Sequence, residues 1–414
     1  MGFWNNVKEY FSSQTYVSVA TETNVASNPL EKSIEPLNSR YNVGMTEVGD
    51  YIKFGVNDDF PTVLERLLKQ SSVHSGIITK KAKMVAGNGL DYNLEAYKTP
   101  AKQAEIKAFL ANCGGKSQGL YEQLVHASFQ YELHGAFAMY IRWNSDRSKI
   151  IELRSLDMKG VRAEEPKDGK VTHYIVRRRF GIGAISMQHN EPKRVKAFDK
   201  YDKSLEQVLY VKNPFSGNPY YGVPNYISAF HYISADYEFG KHIRHSASNG
   251  FTPKVLATFI GRNMSNEQKS DEYKKFKNSF VGSEAEPIIV SWVKNKEEAP
   301  MFTPLKVENL DRTVDILSRL NDSKILTAHN VTSPTLFGVM VSGKLGGTGN
   351  ELVTAYQIFR ATETLPNRHL LMDSVNRILS TVNYEKIDVK VVEEQINLES
   401  IKGANTTDIP QSNG

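Results

Sequence analysis

A single cysteine, Cys113, in 414 residues excludes an intrachain disulfide and any cluster of thiolate metal ligands. That composition suits assembly in a reducing compartment. Long apolar runs are lacking too: PIIVSWV at 287–293 is strand-sized, and no membrane span is expected. Charge of one sign is not in strong excess. Lys and Arg number 51 against 46 Asp and Glu, and the resulting +5 is too small by itself to indicate a nucleic-acid partner. What the chain does have is aromatic side chains, 20 Tyr and 19 Phe, as expected of extensive packing or interfaces. Its length allows a sizeable core and two or three domains.

The start, MGFWNNVKEYF, sets Phe3, Trp4, Val7, Tyr10 and Phe11 on one helical face and reads as a docking helix or arm. It shows neither a secretory apolar segment nor the Ser or Thr at position 6 that myristoylation needs. Residues 12–50, rich in Thr, Ser, Asn and Pro, read as an extended arm. Helical spacing starts with Val63, Leu64, Leu67 and Leu68, continues through Ile77, Ile78, Ala82 and Val85, and stops at GNGL, 87–90. Further helices are expected over 102–112 and 118–134. From AFAMYIRW (136–143) the period shifts toward two, and KIIELRSLD, THYIVRRRF and QVLYVKN read as strands. The first half is therefore an α+β body.

After NPFSGNPYYGVP (213–224), Tyr226, Ile227, Phe230, Ile233 and Tyr237 mark an amphipathic helix to about 247. A mixed insert follows, with strand-like KVLATFI and EPIIVSWV around a charged helix whose Ser265 and Gln268 have capping-box spacing. A second long helix carries Leu310, Val314, Leu317, Ile325 and Leu326. The glycine-rich stretch SGKLGGTGN comes next, and then a helical run to 382 that Pro366 should kink or split. No internal repeat is evident.

SGKLGGTGN, Ser342, Gly343, Lys344, Leu345, Gly346, Gly347, Thr348, Gly349 and Asn350, invites comparison with a phosphate cradle. A Walker loop needs Gly-Lys-Ser/Thr, whereas Lys344 here precedes the glycine pair and is followed by Leu345, so backbone freedom is the stronger reading. His242 and His245 share a helix face but lack a third ligand, so surface or interface use is expected and no metal site is assigned. The acidic pairs Asp58-Asp59 and Glu164-Glu165 read as solvated turns and caps. Arg177, Arg178 and Arg179 interrupt a strand-like pattern, and alternation should turn at least one to the wetter side, for an interface or a polyanion. Lys80, Lys81 and Lys83 add basic character without a base-reading motif. No nucleophile elbow is present, no cofactor is implied, and no enzyme activity is expected.

Three stretches in order carry a resemblance to the portal proteins of tailed bacteriophages, from about 50 to 385. FGVNDDFPTVLERLLKQSSVHSGIITKKAKMVAGNGL resembles their N-terminal helices. NPYYGVPNYISAFHYISADYEFGKHIRHSASNGFTPKVLATF resembles their Tyr-Gly-x-Pro approach to a stem helix. SPTLFGVMVSGKLGGTGNELVTAYQIFRATETLPNRHLLMDSVNRIL resembles the stem exit, tunnel loop and proline-containing helix.

The resemblance implies a portal fold: an arm (1–50), an α/β wing body (51–222), a first stem helix (223–248) and a small mixed α/β clip (249–306). A second stem helix (307–330), a tunnel-loop region (331–350), a kinked wing or crown helix (351–385) and a short crown or tail (386–414) complete it. It implies a homo-oligomeric ring of about twelve subunits at a capsid vertex, assembled in the host cytoplasm, with closed cyclic symmetry. Double-stranded DNA would pass through it non-specifically during packaging and ejection. Partners implied are the terminase large subunit, a head-completion or adaptor protein, and the major capsid and scaffold proteins. Residues 342–350 would face the channel. The alternatives are a nucleotide-binding enzyme using the glycine-rich loop, or another head–tail structural protein.

Overall fold

The computed structural model describes residues 43–381 and 387–393, apart from 56, 116, 167, 182–188, 215–217, 249–254, 261–264, 272–273, 275–287, 294–309 and 339–348. In chain order the elements begin with β1 (Val43–Thr46), β2 (Gly49–Ile52), α1 (Phe60–Gln70), α2 (Ser72–Ala86), β3 (Leu90–Tyr92), α3 (Pro100–Asn112) and α4 (Leu120–His134). Strands β4 (Ala136–Trp143), β5 (Ile150–Leu156), β6 (Val161–Ala163), β7 (His173–Val176), β8 (Lys193–Ala197) and β9 (Glu206–Lys212) follow. After them come α5 (Phe230–Ser248), β10 (Val255–Ile260), β11 (Ile288–Val293), α6 (Leu310–Ala328), α7 (Gly349–Phe359), α8 (Leu365–Leu379) and β12 (Val389–Val391). The architecture is mixed α and β, as the sequence periodicities lead one to expect. The arm at 1–42, most of the insert between α5 and α6, and the end from 394 lie outside the described residues.

Two compact units divide the chain. The smaller comprises Met1–Val63, Lys159–Ala197 and Pro214–Tyr221; the larger comprises Leu64–Met158, Phe198–Asn213 and Gly222–Gly414. In the smaller unit β1 and β2 form an antiparallel hairpin, and β6, β7 and β8 pair antiparallel in that order. Tyr51, Ile175 and Phe180 form its apolar centre.

In the larger unit β4 lies between β5 and β9, antiparallel to both. Of its eight residues only Arg142 is exposed. The expected period of two is therefore muted: both faces of a central strand are covered, and apolar residues occupy both. Phe137, Met139, Ile141 and Trp143 join α3, α4 and α8 in one core, with Val85 of α2 and Val389 of β12.

Local chemistry sets the helix ends. The continuous periodicity after Pro61 is broken at Ser71, whose side chain accepts from the His74 amide at 3.1 Å and caps α2. Gly87 ends α2 with φ 67°, and a Cβ there would meet Val391 Cγ1 at 2.2 Å. Gly135 ends α4 in the left-handed conformation, and a Cβ would strike the Val223 backbone at 2.4 Å. The anticipated capping box is present: Gln268 returns its side-chain oxygen to the Ser265 amide at 2.9 Å, and the Gln268 amide donates to Ser265 Oγ at 3.3 Å.

Helices α5 and α6 pack together in the larger unit, with Asn321 donating to the Tyr232 carbonyl at 2.9 Å. Strands β10 and β11 pair in parallel, Val255 opposite Ile288 through Ile260 opposite Val293.

Candidate functional site

The segment of greatest sequence interest, Ser342–Thr348, lies outside the described residues; Gly349 and Asn350 open α7. The elements flanking it are well defined, and their side chains tie the two sides to a common base. After α6, Asn330 donates to Glu363 at 3.0 Å and Thr332 to the Ala355 carbonyl at 2.8 Å. Phe337, at the end of a 3-10 turn from Pro334 to Phe337, meets Phe359 edge-on with ring centroids 5.2 Å apart. Lys80 of α2 sits 5.8 Å from the Phe337 ring centroid. The two flanks of 339–348 are therefore tied together through Thr332–Ala355 and Phe337–Phe359.

Beneath that place is a buried polar network. Lys81, on the inward face of α2, is 4% exposed and contacts Glu132 of α4 at 3.2 Å and Glu363 at 2.9 Å. The remaining oxygen of each carboxylate accepts from an amide: Asn367 donates to Glu132 at 2.8 Å and Asn330 to Glu363 at 3.0 Å. Burial works against the ammonium, but Glu132 and Glu363 outweigh it and hold the Lys81 pKa above its ordinary value. One cation thus joins α2 and α4 to the turn before α8, with every partner satisfied.

An imidazole pair adjoins the network. His74 Nδ1 and His329 Nε2 are 2.9 Å apart, so one donates and the other accepts. Tyr226 stacks on His329 with centroids 4.8 Å apart, meets His74 edge-on at 4.5 Å, and donates its hydroxyl to the Leu133 carbonyl at 2.6 Å. Burial lowers the His74 pKa to about 3. Burial, then His74 and Lys81, put that of His329 well below 6.5. Both rings are neutral at ordinary pH.

Between α7 and α8 the helix widens into a π turn over Arg360–Thr364, the turn that supplies Glu363. Pro366 follows at once in a helix that runs on unbroken, and the widened turn before it accommodates the missing N–H. Arg368 then donates to the Val85 and Met84 carbonyls at 3.1 and 2.7 Å, capping the end of α2.

Several sequence expectations change. Asp58 is not a solvated turn residue: it is 4% exposed and its Oδ1 lies 2.6 Å from Arg162 Nε. Tyr51 and the Phe54 amide each donate to the same carboxylate at 2.9 Å, and Arg162 packs over Phe180 at 4.6 Å. Glu164 is likewise buried, held by Arg194 at 2.6 Å and His173 at 3.1 Å. Lys81 is a buried ion-pair partner rather than surface basic character. Arg177, Arg178 and Arg179 lie beyond the end of β7, so strand alternation does not set their faces. Arg177 packs over Phe180 at 5.1 Å, Arg178 is exposed, and the Arg179 backbone is held by Asn190 at 2.8 and 3.1 Å. His242 is exposed, and among the described residues no group of three His, Cys, Asp or Glu is placed to hold a metal. No described helix is long and apolar enough to cross a membrane.

No family profile and no curated protein matches the chain by sequence. Solved structures do share its fold. A chain from the virion of a native gene transfer agent particle aligns with TM-score 0.54 and 15% identity, over 91% of this chain and 92% of that one. A chain from the neck of the native particle, computed with C12 symmetry, gives 0.55 and 15% over 83% and 86%. A crystal structure of an HK97 family phage portal protein from Corynebacterium diphtheriae aligns at TM-score 0.42 and 10% identity over 83% of this chain and 97% of that one.

Proposed function

We propose that the chain is the subunit of a portal-type ring at a capsid vertex, a non-enzymatic channel through which double-stranded DNA is packaged and ejected. One observation carries the reading beyond the shared fold: the paired helices α5 and α6 turn apolar side chains outward. Ile243, Ile316 and Leu320 are 58, 55 and 51% exposed, and Leu317, Tyr232 and Tyr237 stand beside them in accessibility. Large exposed apolar side chains on long helices suit burial against further copies of the same chain. The C12 symmetry of the related neck supports a ring of about twelve.

In this reading α5 and α6 form the stem, 249–306 the clip, and 351–385 the helix leading to a short crown. Terminase, the adaptor and the capsid and scaffold proteins dock on the ring. Electron microscopy of the purified protein is expected to show rings with a duplex-sized central hole. Leu317→Glu with Leu320→Glu should leave subunits folded but unassembled; rings in that variant, or monomers in the parent under all assembly conditions, would refute the proposal.

Residues 342–350 are assigned to the channel wall. Repeated around the ring, Lys344 presents a circle of flexible point charges suited to transient phosphate contact. Lys344→Ala is expected to assemble normally and to lower DNA packaging or retention. Packaging at the parental level would remove Lys344 from the DNA path.

A further inference from the structure

We infer that the His74–His329 pair is a proton-operated latch, holding the end of α6 and the π turn against α2 and letting them open as the pH falls. The geometry sets up the device. His329 immediately follows α6, and its neighbour Asn330 bonds Glu363 in the π turn. His74 lies in the first turn of α2, which is fixed by the Ser71 cap and by Arg368 at its other end. Beside the Lys81 contacts, the 2.9 Å contact between the rings therefore joins a fixed element to one that leads toward 339–348.

The cluster beside the pair holds two carboxylates to one ammonium, but a proton added to either ring would find no uncommitted acceptor there. From α2, Lys81 presents an ammonium 3.4 Å from the His329 carbonyl. The carboxylates that would offset an imidazolium, Glu132 of α4 and Glu363 of the π turn, already share their oxygens between Lys81 and Asn367 or Asn330. Tyr226 covers both rings and commits its hydroxyl to Leu133. A first proton places a charge in this buried site facing Lys81. A second turns N–H against N–H. Opening lets each ring take its own proton in water.

The sign follows from linkage. A base whose folded pKa is depressed adds stability that is present above its free value, near 6.5, and is lost as pH falls toward the folded value, about 3 for His74. Between about pH 7.5 and about pH 5.5 the opening equilibrium should rise about tenfold if one imidazole is released and about a hundredfold if both are. The latch belongs to the single subunit, so it stands apart from the ring proposal.

Hydrogen exchange of the full-length protein, corrected for intrinsic rates, reads this directly. Amides of 325–331 and 360–365 are expected to lose protection by that factor on acidification, while those of α3 keep theirs. The double variant His74→Asn/His329→Gln keeps hydrogen-bonding groups at the contact without titrating there, and its protection should be flat over the same range. Glu363→Gln retains both imidazoles and should retain the acid response; this variant decides the matter should the double variant not fold. Unchanged protection in the parent, an equal loss in α3, an acid response that survives in the double variant, or one abolished by Glu363→Gln would each overturn the latch.

Discussion

Each unit of the chain buries an ionic group, and the two are built differently. In the smaller, Asp58 meets Arg162 one to one. The carboxylate is completed by Tyr51 and the Phe54 amide, while the guanidinium also donates to the Val161 and Asp58 carbonyls, each at 2.9 Å. Phe54 stacks on Tyr221 at 4.3 Å beside the pair. In the larger unit one ammonium serves two carboxylates, two asparagine amides share the load, and two neutral imidazoles stand next to it. The branched network carries an excess carboxylate and two bases held below their ordinary pKa. Stoichiometry, more than burial, separates a fixed rivet from a joint that can respond.

The largest effect is expected at the buried Asp58–Arg162 pair. Arg162→Met leaves Asp58 buried and uncompensated, and should cost about 3–5 kcal/mol of unfolding free energy in denaturant titration. Adding Asp58→Asn should return most of that loss, because an amide does not need the guanidinium's charge. A double-mutant cycle measures the coupling. A loss below about 1 kcal/mol in Arg162→Met, the scale of an ordinary surface change, would mean the pair is not the rivet described.

What the sequence made legible follows the same division. Helices α3, α4 and α5 show in the spacing of their apolar residues, and strands β5, β7 and β9 in short runs rich in β-branched and aromatic residues. The break at Ser71 does not, because the apolar spacing runs on through it and only the Ser71–His74 bond reveals the cap. Asp58 and Arg162 lie 104 residues apart, so no local pattern joins them. Lys80, Lys81 and Lys83 are chemically alike in sequence; about 100° of helical rotation per residue turns Lys81 alone into the core. The glycine-rich stretch was conspicuous in composition, whereas the base it departs from was invisible, being assembled from α2, α4, the end of α6 and the π turn.

A branched network should yield by degrees where the balanced pair fails at once, and Glu363→Gln tests that contrast. The substitution keeps one acceptor oxygen for Lys81 and turns an NH2 toward Asn330, whose amide must flip to accept it, while Lys81 still has Glu132 at 3.2 Å. What is lost is one charge-assisted bond at the edge of the network, worth about 1.5–3 kcal/mol when removed outright and less when an amide remains. The expected loss is about 1 kcal/mol, a few-fold smaller than for Arg162→Met, read by the same denaturant titration. Removing a carboxylate also brings the cluster to one anion per cation, the stoichiometry of the smaller unit. If charge balance is what makes a buried pair rigid, Glu363→Gln should leave the Lys81–Glu132 contact as firmly held as before. Equal losses for Glu363→Gln and Arg162→Met would show that the larger cluster is as indivisible as the smaller, and the distinction between rivet and joint would fall.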